Sequence, residues 1–264
     1  TKNFKVDATD AEETRASSLK SFTSDGFTLG TESAINGSGN SLVSWNWKES
    51  TTAGFDMVTY TGNGSGRTIS HSLSAVPHCY IVKERSPNNE HWFVYHQGTG
   101  NLGGTLLSTT GAFVDNAGYF NDTSPTSSVF SVGDGGGINT SSSTYIAYLF
   151  SEKQGFSKFG KYTGNGASSG SYIHLGFRPA WFLVKRSDSS NAWHLVDAKR
   201  NTFNPTQNGL FPDTNDAENT GNQFDFLANG VKLNSSDGGY NASDGTYIYM
   251  AFAEAPFVNS NGVP

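Results

Sequence analysis

Along most of the chain apolar and polar residues alternate with a period of two, in short runs bounded by Gly, Asn, Ser and Thr. That pattern is the signature of half-buried strands joined by turns. It predicts strands over Asp56–Thr61, Cys79–Arg85, Trp92–His96 and Tyr145–Phe150, and a second set over Lys158–Thr163, Trp181–Arg186, Ala192–Val196 and Tyr247–Phe252. Shorter strands are expected at Phe27–Leu29, Val129–Val132 and Val231–Leu233. Cys79–Val82 and Trp181–Val184 are apolar at consecutive positions, as strands covered on both faces are. No segment carries a sustained helical stripe, and only Thr9–Leu19 could make one or two helical turns. The expected fold is all-β, built from tandem β-sandwich, jelly-roll-like modules.

The elements repeat. Tyr60 in "TYTGNGSG" finds its counterpart at Tyr162 in "KYTGNGAS", a spacing of about 102 residues. At that spacing Pro77 meets Pro179, Lys83 meets Lys185, and "TYIAYLFSE" (144–152) meets "TYIYMAFAE" (246–254). Trp92 meets Trp193 after a one-residue slip. The start of the chain matches the back half of the pattern: "DAEET" (10–14) resembles "DAENT" (216–220), "SFTSDGFTLG" (21–30) resembles "DFLANGVKLN" (225–234), and "SLVSWNWKE" (41–49) takes the place of the last strand. The chain therefore divides into a second-half repeat over 1–54 and full repeats over 55–154 and 155–264. An alternative cut gives 1–103 and 104–205 with a trailing half-repeat over 206–264. Because a half-repeat leaves an open sheet edge, its first half is expected upstream in a longer chain.

Two glycine-rich stretches invite a ligand reading. "GNGSG" lacks the spacing of a dinucleotide fingerprint and the Lys-Ser/Thr of a phosphate loop, and "TISH" follows it instead of a helix. Asn-Gly between two strands is instead expected to form a tight hairpin. "VGDGGG" lacks the alternating Asp spacing of a calcium loop. Trp45 and Trp47, two residues apart and matched by Tyr148 and Phe150 and by Met250 and Phe252, are expected to fill core volume, as are Trp92 and Trp193.

Composition narrows the function classes. With Asp and Glu at 23, Lys and Arg at 17 and a net charge of −6, the chain offers no basic stripe, so nucleic acid is not an expected partner. No apolar run is long enough for a membrane-spanning helix, so no membrane insertion is expected. The single cysteine, Cys79, forms no internal disulfide. His71, His91, His96 and His174 show no metal-ligand spacing, and the sequons at Asn36 and Asn241 reflect composition. Glu84, Glu90, Asp115 and Asp122 are carboxylates, but nothing marks a pair among them. The sequence thus predicts no catalytic residues, metal or cofactor.

The combination "YTGNG", "FRPAWFLVKR", "TYIYMAFAEAPF" and "DAE…F…SDGF" resembles the repetitive structural proteins of marine tailed bacteriophages, often described as tail fibres or virion proteins. The resemblance spans essentially the whole chain and implies a virion component, a tail fibre or host-attachment appendage. Its expected partners are a host-surface glycan or receptor and other virion proteins. A homo-oligomer, with a trimer as one option, would suit a fibre. A glycan-degrading depolymerase on the same scaffold and a purely structural capsid decoration protein are the alternatives. The resemblance supplies no functional residues, so candidates come from loops where the repeats differ: Asn88, Asn89 and His91 in "SPNNEH", and Asn116, Tyr119, Phe120 and Asn121 in the longer segment over 97–125. Amide and aromatic side chains together suit sugar binding.

Overall fold

A computed structural model of the chain describes residues 1–255; the end of the second full repeat, 256–264, lies outside the described residues. The chain opens with β1 (Lys2–Asn3), β2 (Glu13–Thr14), β3 (Leu19–Phe22), β4 (Phe27–Leu29) and the short helix α1 (Ser33–Asn36). The first full module holds β5 (Phe55–Thr61), β6 (Arg67–Ser70), β7 (Cys79–Glu84), β8 (Trp92–His96), β9 (Gly100–Leu106), β10 (Val114–Asp115), α2 (Ala117–Phe120), β11 (Val129–Val132), α3 (Gly136–Asn139) and β12 (Thr144–Phe150). The second holds β13 (Ser157–Thr163), β14 (Tyr172–His174), β15 (Pro179–Arg186), β16 (His194–Asp197), β17 (Phe224–Leu227), β18 (Gly230–Leu233) and β19 (Thr246–Ala253).

The fold is an all-β sandwich repeated in tandem. In the first module a large antiparallel sheet runs β10-β9-β8-β7-β12-β5 and faces a small β11-β6 sheet. In the second, β13-β19-β15-β16 faces β14-β18-β17. The last strand of each module lies between its first and its next major strand: Tyr145 pairs with Tyr60 on one side and Glu84 on the other, and Tyr247 pairs with Tyr162 and Arg186. Thr9–Leu19, where a helical turn was expected, is extended backbone and turns around β2, and the following module engages it through Lys83 Nζ on Thr9 O and Arg85 O on Glu12 N.

The strands with two apolar faces explain themselves through packing. One face of each large sheet covers its own sandwich core: Tyr80, Val82, Phe130 and Ala147 in the first module, Phe182, Val184, Phe224 and Ala251 in the second. The opposite faces meet in a third core that joins the modules, formed by Cys79, Trp92, Val94 and Phe150 against Phe159, Leu183, Trp193 and Met250. Each fully buried Phe, Leu or Val contributes about 1.5–3 kcal/mol over exposure, so this seam holds the modules firmly together.

The N-terminal segment joins the same seam, with Phe4, Trp45 and Trp47 packed against it. Trp47, Phe150 and Phe252 occupy one position of the repeat, and they converge. Their ring centroids lie 6.3 Å (Trp47–Phe150), 6.1 Å (Phe150–Phe252) and 5.6 Å (Trp47–Phe252) apart, all edge to face. Three equivalent residues in mutual contact define a three-fold pseudo-axis within one chain. The half-repeat is the first sector around it and the two modules are the second and third.

Candidate functional site

The seams are built from one set of contacts used twice. Trp92 Nε1 donates to Lys5 O at 3.1 Å across the first seam, and Trp193 Nε1 donates to Leu106 O at 3.0 Å across the second. Lys83 Nζ donates to Thr9 O at 2.8 Å and to Glu90 O at 2.5 Å; Lys185 Nζ donates to Thr110 O at 3.0 Å and to Asn191 O at 2.6 Å. Backbone bonds follow suit, from Glu12 N to Arg85 O and from Phe113 N to Ser187 O. The equivalence extends to strand register, since Lys2 pairs with Thr14 as Gly103 pairs with Asp115. Each module thus grips the back half of the sector before it with one lysine and one tryptophan.

Both lysines are buried, and burial disfavours their charge: Lys83 is lowered from its usual range and Lys185 falls to about 8. The aromatic faces of Phe4 and Trp92, about 6 Å from Lys83 Nζ, offer it partial compensation. His96 closes the second seam, its Nε2 lying 3.0 Å from Tyr249 O while Nδ1 accepts from Gly98 N. The ring is therefore neutral with its proton on Nε2, and burial lowers its pKa to about 4. Across the third contact, between the second module and the N-terminal segment, Trp47 meets Trp181 at 5.7 Å and the Arg200 guanidinium lies 6.0 Å from the Trp45 ring.

The "YTGNG" motif occupies a different place from the one its composition suggests. β5 pairs with β12 and β6 with β11, so Gly62–Gly66 carries the chain from one sheet to the other and is no hairpin. Asn63 Oδ1 accepts from Ser65 N in a local turn, and Gly64 takes φ 73°. The corner is clasped by Asn139, which is fully buried: its amide donates to Asn63 Oδ1, Ser65 O and Gly133 O, and its Oδ1 accepts from Asn63 N. Asn241 makes the same bonds to Asn165, Ala167 and Ser235. The sequon at Asn241 is thus an interior hydrogen-bonding group.

The loop residues named from sequence divide. Phe120 is fully enclosed among Tyr80, Tyr95 and Tyr119 and cannot reach a surface ligand, which corrects its assignment as a binding residue. Asn116 caps α2 by accepting from Gly118 N at 2.9 Å, and Asn121 ends that helix in the left-handed conformation. Tyr119 is half-buried, edge-on to Phe93. Asn88 is exposed but its amide is held by Ser143 Oγ and by Glu84, and His91 Nδ1 lies 3.0 Å from Ser108 Oγ. Asn89 is exposed in a left-handed turn conformation. Tyr119 of the longer segment packs on Phe93, against which a Cβ on Gly137 would also press. Most of these amides hold loops together.

A recess of ≈ 280 Å³ opens instead where the two modules meet. Phe113 gives it an aromatic wall, and Thr99, Ser187, Thr246 and Lys161 bring hydroxyls and an ammonium group to it; the Tyr247 ring is enclosed in the second module's core, stacked on Tyr162. Lys161 is exposed and Gly98 lies beside its Cβ. Sequence reasoning missed this site because its residues come from both repeats. An aromatic wall with hydroxyl and ammonium donors can hold a polyol or an anionic sugar.

Comparison with known families matches residues 1–256, the half-repeat and both modules together, to a domain of unknown function. The chain belongs to the DUF7483 family. No curated protein and no solved structure matches it. The DUF7483 span thus takes in all three sectors around the pseudo-axis, including the N-terminal half-repeat.

Proposed function

We propose that this chain is a structural attachment protein of a virion, part of a tail fibre or similar appendage, that engages a host-surface glycan. The observation that carries the reading is the repeated seam. Its buried lysines, tryptophans and histidine all serve module-to-module docking, and a polar recess with Phe113 on its wall is left at the surface between modules. The resemblance to repetitive phage structural proteins supports the same reading. The aromatic triad lies within a single chain, so trimerisation is not what brings its three positions together; any homo-oligomer would use other surfaces.

The test is to incubate the protein with surface polysaccharide from candidate hosts and measure both retention and new reducing ends. Retention without cleavage is expected, weakened at least tenfold by Lys161→Ala with an unchanged melting temperature. Accumulating reducing ends would favour a depolymerase. Antibody labelling of intact particles should place the protein on an exposed appendage.

A further inference from the structure

Positions that are closed in the second module stand open in the N-terminal segment. Phe22 is 73% exposed, whereas its counterpart Phe226 is 0% exposed. Met57, on the edge strand that faces the first sector, is 42% exposed, whereas Phe159 at the same repeat position is 1% exposed under Phe150 and His78. The segment 41–48, which corresponds to the central strands β12 and β19, pairs with no strand among the described residues, and Leu42 on it is exposed. The buried Trp45 Nε1 has no hydrogen-bond partner.

The third clasp asparagine is also present. Asn36 Nδ2 donates to Gly30 O at 2.7 Å, just as Asn139 bonds Gly133 O and Asn241 bonds Ser235 O. In the two modules the same amide also holds an Asn-Gly corner, through Asn63 and Ser65 or through Asn165 and Ala167. The Asn36 side chain makes only the bond to Gly30 among the described residues, and the residue is exposed.

We propose that residues 1–54 form an acceptor half-module whose occupant is a first-half repeat bearing a Tyr-Thr-Gly-Asn-Gly corner. That occupant would lay strands on both sides of 41–48, cover Phe22 and Met57, and seat its corner on Asn36. A second copy of this chain is not the occupant, because both of its first halves are already clasped by Asn139 and Asn241.

The experiment places a copy of residues 55–101 directly ahead of Thr1 in the full chain, since Thr1 stands where Leu102 follows that stretch in the first module. Hydrogen exchange over residues 19–49 should slow at least tenfold, tryptophan emission should shift to the blue, and the melting temperature should rise. Asn36→Ala should remove most of that gain while leaving the chain without the added segment nearly unchanged. As a second probe, a synthetic peptide copying residues 55–70, added in trans to the full chain, should protect the same residues. Unchanged exchange with both the fusion and the peptide would overturn the proposal. So would a dimer, by sedimentation, in which residues 19–49 are already protected.

Discussion

At the scale of single residues, the clasps depend on buried amides with complete sets of partners, and the seam on buried lysine, tryptophan and histidine side chains that bond across it. Asn139 uses every hydrogen-bonding atom of its amide inside the protein, so Asn139→Ala strips partners from the Gly62–Gly66 corner and leaves Asn63 N and the buried Gly133 O without this partner. A loss of about 3 kcal/mol is expected in denaturant unfolding. His96 gives the seam an acid limit. Its folded-state pKa of about 4 lies below the ordinary 6.5, so the unfolded chain takes up this proton first. The stabilisation is complete above pH 6.5 and is lost as the pH falls towards 4, by up to about 3 kcal/mol. Urea titrations across that range should show a steeper acid loss for the native chain than for His96→Asn. Equal slopes would mean that the ring does not hold the seam.

At the scale of elements, the alternation of apolar and polar residues was a sound guide. Strands Trp92–His96, Phe27–Leu29 and Val129–Val132 lie where the pattern places them, and the other predicted strands differ only at their ends; β9, in the segment read as a loop, and β6, β14 and β17 were not predicted. The misreadings share a physical cause. Asn-Gly suits both a tight hairpin and a sheet-crossing corner, and what decides between them is Asn139, far along the chain. Phe120 lies in a polar loop, but the Asn116 cap begins a helical turn that carries its ring inward. The consecutive apolar residues of β7 and β15 did announce two covered faces; that the second cover is another module could not be read locally, because it depends on the neighbouring sheet. Phe120→Ala should therefore cost about 3–5 kcal/mol of stability, measured by denaturant unfolding, whatever it does to ligand binding. Tyr119, being half-buried on Phe93, should cost less when truncated.

At the scale of the molecule, three sectors share one aromatic axis, and each module grips the sector before it with the same lysine and tryptophan. Repeats that stack through nearest-neighbour interfaces gain stability from those interfaces as well as from each unit's own core. This chain bends that logic around a pseudo-axis, so its first and last sectors touch. The contact is the feature that separates the arrangement from an open row of modules, and Trp47 against Phe252 reports it directly. A double-mutant cycle of Trp47→Ala and Phe252→Ala, read by denaturant unfolding, should give a coupling energy of about 1 kcal/mol, as edge-to-face aromatic pairs do. Additive effects, with no coupling between the two positions, would contradict the three-sector arrangement.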